Sequence, residues 1–192
     1  LKDAGFAIEE QHFALPRQYF LDKATLVAGG QTLDVVPQWW LPENAARFAL
    51  SAPISAKGDA TGQFIRLKIA YDQGAYLGPT QKSAIRDAMQ RHPAAVLLSN
   101  DPASGEIFTY NVAQDDAPWP VPVILVAPKD DAALAAAEQR GEPVSLSVTG
   151  HYAQQVQGRN LIGRLDRGKA RTLVVSTPES SWFTSSCERG PG

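Results

Sequence analysis

Apolar and polar residues alternate along the first part of the chain, which predicts mostly β-structure there. A short helical start leads into residues 6–15, which have the pattern of an extended strand. Residues 24–27 and 32–36 are two further apolar-rich runs, and they flank Gly29-Gly30. Because this dipeptide tolerates positive φ in a two-residue turn, the spacing predicts a β-hairpin.

Beyond residue 63 the pattern alternates between the period of strands and the period of helices. The predicted elements are a strand buried on one face over 64–71, a helix over 79–92, a buried strand over 94–99, a strand over 121–126, a helix over 131–140 and a half-buried strand over 144–148. Pro79 suits the first turn of its helix, and Asp130 and Gly141 suit the N-cap and C′ positions of the second helix. The polar, turn-rich residues 100–119 predict a surface loop. The sequence therefore indicates a mixed α+β fold.

The predicted core of this region is apolar and recurs at strand or helix spacing. It comprises Ile65, Leu67, Ile69, Ile85, Met89, Val96, Leu98, Ile124 and Leu146. Further along, residues 160–165 and 172–176 are apolar runs separated by a charged turn, and we expect them to be neighbouring strands of another sheet. Residues 51–63 lack periodicity, which marks the approach to a second unit.

Composition and charge exclude several classes of function. The 192 residues are 44% hydrophobic and 20% charged, which is ordinary for a globular protein that buries a core. The 18 basic and 20 acidic residues give a net charge of -2, so no basic field exists to neutralise phosphates. We therefore expect no nucleic-acid partner. No apolar run reaches the roughly 20 residues of a membrane-spanning helix, so we expect no membrane partner either.

The single cysteine, Cys187, excludes an internal disulfide and every multi-cysteine zinc or iron–sulfur site. One unpaired thiol slightly favours a cytoplasmic location, while an exported protein stays possible. The chain begins with Leu1 rather than Met. We expect it to be part of a longer protein.

Candidate chemical groups are sparse along the chain. His12, His92 and His151 lie far apart and lack the spacing of metal-binding motifs, so we expect none of them to be a metal ligand. Nucleophile-elbow and phosphate-cradling glycine motifs are absent from the sequence. The pair Trp39-Trp40 is a candidate ligand-binding platform for a sugar or a peptide. The alternative for this pair is packing in a satellite core cluster.

The order of elements over residues 64–152 resembles the protease-associated (PA) domain of zinc exopeptidases of the aminopeptidase and glutamate carboxypeptidase type. The resemblance rests on the strand, the helix leading into Ala95-Val96-Leu97-Leu98, the long loop, the Val121-Pro122-Val123 strand, the Ala-rich helix and the closing strand. In those proteins the PA domain is inserted between the amino-terminal part of the peptidase and its central sheet. The resemblance implies a PA-type β-rich domain with two or more helices, together with fragments of an α/β peptidase-like sheet.

The same resemblance implies three segments. They are an amino-terminal segment of a peptidase-like domain over 1–50, a PA-like domain over 51–152, and a truncated start of the central peptidase-like sheet over 153–192. In the third segment, residues 160–163 are similar to the strand that follows the PA domain. Residues 172–176 are similar to the hydrophobic strand that ends in a His-x-Asp metal motif.

The metal motif is where this sequence departs from the family. Thr177 and Glu179 stand at the positions of the His and the Asp, and Glu188 stands near a further expected Asp. A threonine hydroxyl is a poor substitute for imidazole as a zinc ligand. We therefore regard Thr177, Glu179 and Glu188 as degenerate metal positions and expect no metal site, no catalytic residue and no cofactor in this chain.

These observations leave three hypotheses for the function. The first is a PA-containing part of a degenerate zinc-exopeptidase-like protein that gates substrates or binds proteins, with peptides, proteins and the rest of the peptidase-like domain as partners. The second is part of an active zinc metallopeptidase of aminopeptidase type, a hydrolase whose remaining zinc ligands lie outside this chain. The third is a β-rich ligand-binding module with its site at Trp39-Trp40.

Overall fold

The structure, a computed structural model, describes residues 1–38, 41–71, 74–100, 104–113 and 116–176. Within these ranges the chain forms seven strands and two α-helices, with three short 3-10 helices between them. The strands are β1 (Ala7–Ala28), β2 (Gln31–Pro37), β3 (Arg47–Ala52), β4 (Phe64–Lys68), β5 (Ala95–Ser99), β6 (Val123–Val126) and β7 (Val144–Arg164), and the helices are α1 (Pro79–Met89) and α2 (Asp131–Arg140). The predicted fold class, a mixed α+β fold rich in strands, is confirmed.

The chain divides into two compact units. The larger unit contains Tyr19–His151, and the smaller unit contains Leu1–Gln18 together with Tyr152–Gly192. The long strands β1 and β7 each contribute residues to both units. The three segments that the sequence analysis implies stay a prediction.

The larger unit is built on a mixed sheet with the strand order β3-β7-β1-β2-β6-β5-β4. β4, β5 and β6 are parallel, whereas β1 and β2, β2 and β6, and β3 and β7 pair antiparallel. Gly29 and Gly30 connect β1 to β2 with φ of 55° and 78°. Two consecutive positive φ values match the twist of a two-residue hairpin turn. The predicted β-hairpin is therefore confirmed.

Helices cover both faces of the parallel strands. One face of the sheet packs against α2 in a core that includes Leu97, Ile124, Leu134 and Ala137. The other face packs against α1 in two clusters that include Val96, Leu98, Ile85 and Ala88. Every residue of β5 and β6 is buried as a result, as is usual for parallel strands between two layers of helix.

The predicted core is confirmed in large part. Seven of its members are buried, namely Ile65, Ile69, Ile85, Val96, Leu98, Ile124 and Leu146. Leu67 and Met89 are partly buried and pack against the buried clusters. These two side chains are more exposed to solvent than the other seven.

Strand β4 differs from its prediction in length and in burial. It ends at Lys68, and both Phe64 and Ile65 are almost fully buried, so the prediction of one buried face is wrong. The second face packs against α2, and two carboxylates of α2 pair with the guanidinium of Arg66 on that face. Its guanidinium contacts a carboxylate oxygen of Asp131 at 3.2 Å and one of Glu138 at 2.8 Å.

Both ends of α2 lie at the predicted residues. Gly141 ends the helix with a φ of 62°, the left-handed conformation that glycine adopts without strain. Asp130 occupies the N-cap position, but its side chain makes no capping hydrogen bond. A 3-10 turn over Pro128–Asp130 leads directly into the helix instead. The predicted N-cap position of Asp130 is therefore confirmed, without a side-chain capping hydrogen bond.

The predicted surface loop over residues 100–119 is wrong in one respect. Asn100 and Tyr110 are each 1% exposed, so parts of this segment belong to the core. The Asn100 side-chain amide donates hydrogen bonds to the Phe108 carbonyl and to the Tyr110 hydroxyl, both at 3.2 Å. A buried amide with these partners ties the segment to the end of β5.

The predicted sheet beyond residue 160 is not formed in the described part of the chain. Residues 160–164 belong to β7, and residues 171–176 have no regular structure. Leu173, Val174 and Val175 are each more than 80% exposed. The prediction of two neighbouring strands is therefore wrong here, because no described strand offers residues 172–176 a hydrogen-bonding partner.

The smaller unit is described for residues 1–18 and 152–176. Its side chains include Arg17, whose guanidinium lies 3.8 Å from the centroid of the Tyr152 ring. Gly158 lies beneath the Phe13 ring, where a Cβ atom would come within 2.6 Å of the ring. None of the described helices of the chain is long and apolar enough to cross a bilayer.

Candidate binding cleft

A cleft of about 220 Å³ opens in the larger unit between α1 and the described residues of the segment 111–120, namely 111, 112 and 116–120. Its lining combines apolar residues, two prolines, and polar and charged side chains. The lining residues are Gln38, Leu77, Lys82, Arg86, Met89, Gln90, Asn111, Val112, Asp116, Ala117, Pro118, Trp119 and Pro120. Such a mixed concave surface is the usual form of a binding site.

Helix α1 supplies the cations of the cleft. Pro79 begins the helix, and the Gln81 side chain accepts a hydrogen bond from the Gly78 N–H at 2.6 Å. Its amide also donates to the Ala70 carbonyl at 2.8 Å, which fixes the start of the helix against the end of β4. Lys82 and Arg86 follow four residues apart, so both side chains lie on the same face of α1.

One of these cations forms an ion pair across the cleft. Lys82 Nζ lies 2.6 Å from Asp116 Oδ1, and both side chains are about three-quarters buried. The other oxygen, Asp116 Oδ2, accepts a hydrogen bond from the Ala113 N–H at 3.1 Å. The hydrogen bond from Lys82 is the main cause that lowers the pKa of Asp116, and the charge of Arg86 acts in the same direction. Asp116 is therefore held as a carboxylate whose two oxygens are both engaged.

Arg86 differs from Lys82 in its contacts. Its side chain is exposed at the mouth of the cleft. Within the ranges that the structure describes, its guanidinium makes no hydrogen bond or ion pair, and its influence on Asp116 is electrostatic. Among the described lining residues, two cations and one carboxylate leave one positive charge uncompensated.

The floor of the cleft is held by Gln38 and Tyr110. The Gln38 side-chain amide donates to the Tyr110 carbonyl at 2.8 Å, and the Tyr110 N–H donates to Gln38 Oε1 at 3.0 Å. Both residues are 1% exposed. Because this double hydrogen bond joins the end of β2 to the segment before Asn111, it holds that wall of the cleft in place.

The apolar wall is formed by Leu77, Met89 and Trp119. Leu77 is buried, and Met89 and Trp119 are partly buried against the same cluster around Ile85. Trp119 stands between Pro118 and Pro120 in the sequence, and the fixed φ of the two prolines restricts the backbone there. This wall suits an apolar side chain of a ligand.

The histidines do not form a site in the described part of the chain. Each lies near one carboxylate: His12 near Glu10 at 3.4 Å, His92 near Asp59 at 3.2 Å and His151 near Asp22 at 3.3 Å. His92 follows α1 with a φ of 58°, and its pairing with Asp59 is one cause of the lowered pKa of that carboxyl group, after the hydrogen bond from Thr61. Among the described residues, no three His, Cys, Asp or Glu side chains converge on a point where a metal ion fits.

The site residues predicted from the sequence all lie outside the described residues. This applies to the candidate platform Trp39-Trp40 and to the degenerate metal positions Thr177, Glu179 and Glu188, and also to Cys187. The predictions for these residues stay predictions. The cleft itself was not predicted, although the four-residue spacing of Lys82 and Arg86 and the Pro118-Trp119-Pro120 triplet are visible in the sequence.

Comparison with known proteins gives a fold but no family. The sequence matches no family model and no curated protein sequence. Among solved structures, a zinc aminopeptidase from Bacillus subtilis is similar with a TM-score of 0.54 and 17% identity over 84% of this chain. A second structure of that protein is similar with a TM-score of 0.53 and 16% identity over 88% of this chain. An aminopeptidase from Aneurinibacillus sp. strain AM-1 gives a TM-score of 0.47 and 19% identity over 89% of this chain.

The similarity covers a minor part of the larger proteins. This chain spans 37% and 39% of the two Bacillus subtilis structures and 42% of the Aneurinibacillus structure. At these identities the likeness concerns the fold alone. The resemblance of the sequence to zinc aminopeptidases is thereby confirmed at the level of fold.

Proposed function

We propose that this chain is part of a zinc-exopeptidase-like protein and that its larger unit is a PA-type module that binds peptide or protein segments. The observation that carries the proposal is the cleft between α1 and residues 111–120. It has an apolar wall for a side chain and fixed charges for the polar groups of a peptide. It lies in a fold shared with part of a zinc aminopeptidase.

The sequence supports an accessory role for this chain rather than a self-sufficient catalytic one. Thr177 and Glu179 stand where the resemblance places the His and Asp of a zinc motif. A hydroxyl does not replace an imidazole as a zinc ligand at neutral pH. The residues of this chain therefore do not fit a co-catalytic zinc pair, and we derive no catalytic step from them.

The alternative is part of an active zinc metallopeptidase, and the shared fold with a zinc aminopeptidase favours it. Under that alternative the remaining ligands and the general base lie outside these 192 residues. The larger unit then gates access to the catalytic domain of the whole protein. The two proposals make different predictions for zinc and for hydrolysis.

The binding proposal is tested with the ¹⁵N-labelled 192-residue chain and the peptide acetyl-Gly-Ala-Ala-Leu, as the free acid and as the amide. We expect the backbone amide resonances of the non-proline residues of α1 and of residues 111–113, 116, 117 and 119 to shift on titration with at least one form. Trp119→Ala should weaken binding. Phe13→Ala, which removes a partly exposed ring of the smaller unit, is the matched control and should not. Absence of binding by both forms, or binding elsewhere, would contradict the proposal.

Zinc binding and hydrolysis by the 192-residue chain test its accessory role, whereas the same two measurements on the longer protein distinguish the two proposals. Metal-free chain dialysed against zinc should retain well under one equivalent, because no imidazole stands at Thr177. Leucyl- and glutamyl-peptide substrates with added zinc or cobalt should be hydrolysed no faster than in a control with chelator. Chelator-sensitive turnover by the chain itself would overturn the accessory role, and it would also contradict the alternative in its present form, which places the remaining ligands and the base outside these residues.

A further inference from the structure

One cationic side chain of the cleft, Arg86, forms no hydrogen bond or ion pair with the described residues. Lys82 is neutralised by Asp116 at 2.6 Å, and Asp116 is itself engaged at both oxygens. Arg86 lines the same cleft with an exposed guanidinium that no hydrogen bond within the described ranges engages. A planar guanidinium binds a carboxylate through two parallel hydrogen bonds, which a lysine ammonium does not match.

The apolar wall stands next to this cation. Leu77, Met89 and Trp119 line the cavity that Arg86 also lines. Its volume of about 220 Å³ is smaller than the roughly 300 to 1,000 Å³ of sites that enclose a drug-sized ligand. The cleft therefore has room for about one residue and not for a folded segment.

From this arrangement we infer that the cleft binds the carboxyl terminus of a peptide whose last side chain is apolar, with Arg86 on the carboxylate. The inference rests on the proposed peptide-binding function. A terminal residue carries its carboxylate and its side chain on one Cα atom, so both groups enter a cavity of this size together. An internal aspartate or glutamate brings a carboxylate without an apolar group on the same residue.

The structural alternative is that Arg86 only stabilises its helix. Arg86 lies in the last turn of α1, where a cation interacts favourably with the helix dipole. Arg140 likewise lies in the last turn of its helix, α2, where it pairs with Glu142, and it lies outside the cleft. Arg140→Gln is therefore the matched control for Arg86→Gln.

The experiment measures dissociation constants of three peptides by titration of the 192-residue chain. They are acetyl-Gly-Ala-Ala-Leu as the free acid, the same peptide as the C-terminal amide, and acetyl-Gly-Asp-Ala-Leu amide, which carries an internal carboxylate. We expect the free acid to bind at least about tenfold more tightly than either amide. Arg86→Gln should abolish this preference, and Arg140→Gln should keep it. Arg86→Lys, which keeps the charge without the planar fork, should keep part of it.

Each other outcome overturns a defined claim. Equal binding of the free acid and its amide at the cleft overturns the carboxylate inference and leaves the proposed function intact. Equal binding of the free acid and the aspartate peptide overturns the claim that the bound carboxylate is the one at the peptide's carboxyl terminus. A preference that survives Arg86→Gln in a chain with native amide dispersion overturns the assignment to Arg86. No binding by any of the peptides overturns the inference and the proposed function together.

Discussion

Gln38 and Tyr110 exchange two hydrogen bonds in the interior of the larger unit, although 72 positions separate them in the chain. The Gln38 amide satisfies both the carbonyl and the N–H of Tyr110. The Gln38 side chain thus makes the two hydrogen bonds to the Tyr110 backbone that a neighbouring strand would make in a β-sheet. This bond pair fixes an irregular segment to the end of β2 and so determines the shape of the cleft.

The first prediction concerns this bond pair. Gln38→Leu leaves two buried backbone groups of Tyr110 without these partners, and each such group costs about 1 to 3 kcal/mol. We expect the free energy of unfolding to fall by about 2 to 4 kcal/mol in urea titrations followed by circular dichroism. Gln139→Leu, on the exposed side of α2, is the control and should change it by about 0.5 kcal/mol or less. A Gln38→Leu chain as stable as the control would contradict the role of this glutamine.

The second prediction concerns the core of the sheet. Ile124 of β6 is fully buried in the α2-facing core, so Ile124→Ala should cost about 2 to 5 kcal/mol. Leu67→Ala should cost less, because Leu67 is only partly buried. Leu161→Ala, at a residue that is 52% exposed, should stay within about 0.5 kcal/mol of the original chain. Equal costs at Ile124 and Leu161 would show that the strand register is wrong.

Much of the larger unit could be predicted because its elements are local and periodic. Pro79 and the spacing after it indicate α1, Gly29-Gly30 indicates the hairpin, and Gly141 indicates the end of α2. The continuous apolar run of β5 indicates a buried strand. Each of these signals resides within about ten residues of the element that it specifies.

The parts that could not be predicted depend on long-range contacts. Lys82 and Asp116 pair across 34 positions, and Arg66 meets α2 across 65 or more. In the sequence Tyr110 is one aromatic residue of a polar segment, and its place in the core depends on distant partners such as Gln38 and the cluster around Ile85. The run at 172–176 has a strand pattern, but a strand forms only where a partner strand is present. The local pattern therefore predicts the helices and strands, whereas the cleft is visible only in the tertiary structure.

The third prediction concerns the ion cluster that covers the Arg66 face of β4. Its guanidinium contacts Glu138 at 2.8 Å and Asp131 at 3.2 Å, and the two carboxylate side chains are only 16% and 15% exposed. Arg66→Ala leaves both carboxylates without their cation, so we expect a loss of about 1 to 3 kcal/mol, less than for a fully buried pair. The Ser99 hydroxyl, which donates to Asp131 at 3.2 Å, compensates only in part.

A double-mutant cycle of Arg66→Ala with Glu138→Gln tests this pairing. We expect a coupling of about 1 kcal/mol in the free energy of unfolding, since the two side chains share one contact. Arg140→Ala with Glu142→Gln is the matched control, because that pair is exposed on the surface and should show little coupling. Strictly additive effects at Arg66 and Glu138 would mean that the contact contributes nothing to stability.

The fourth prediction follows from the lowered pKa of Asp116 in the cleft. The hydrogen bond from Lys82 is the first cause, and the hydrogen bond from the Ala113 N–H adds to it against the opposing effect of burial. Because the pKa in the folded chain lies below the ordinary value of 3.8, the unfolded chain binds the proton more readily. The stability that this carboxylate contributes is therefore complete above about pH 5 and is lost as the pH falls through the folded pKa.

Denaturant titrations from about pH 6 down to about pH 3 measure this effect in the original chain and in Asp116→Asn. We expect the original chain to be the more stable of the two at the upper end of this range, and the difference to shrink once the pH falls below 3.8. In a Lys82→Met background the same Asp116→Asn change should produce a smaller pH-dependent difference, because the main cause of the lowered pKa is gone. The carboxylate would then still accept the Ala113 hydrogen bond, so a residual effect is expected. A difference that stays constant down to about pH 3, or that is the same with and without Lys82, would show that this ion pair does not form in solution and that the charge balance derived for the cleft is wrong.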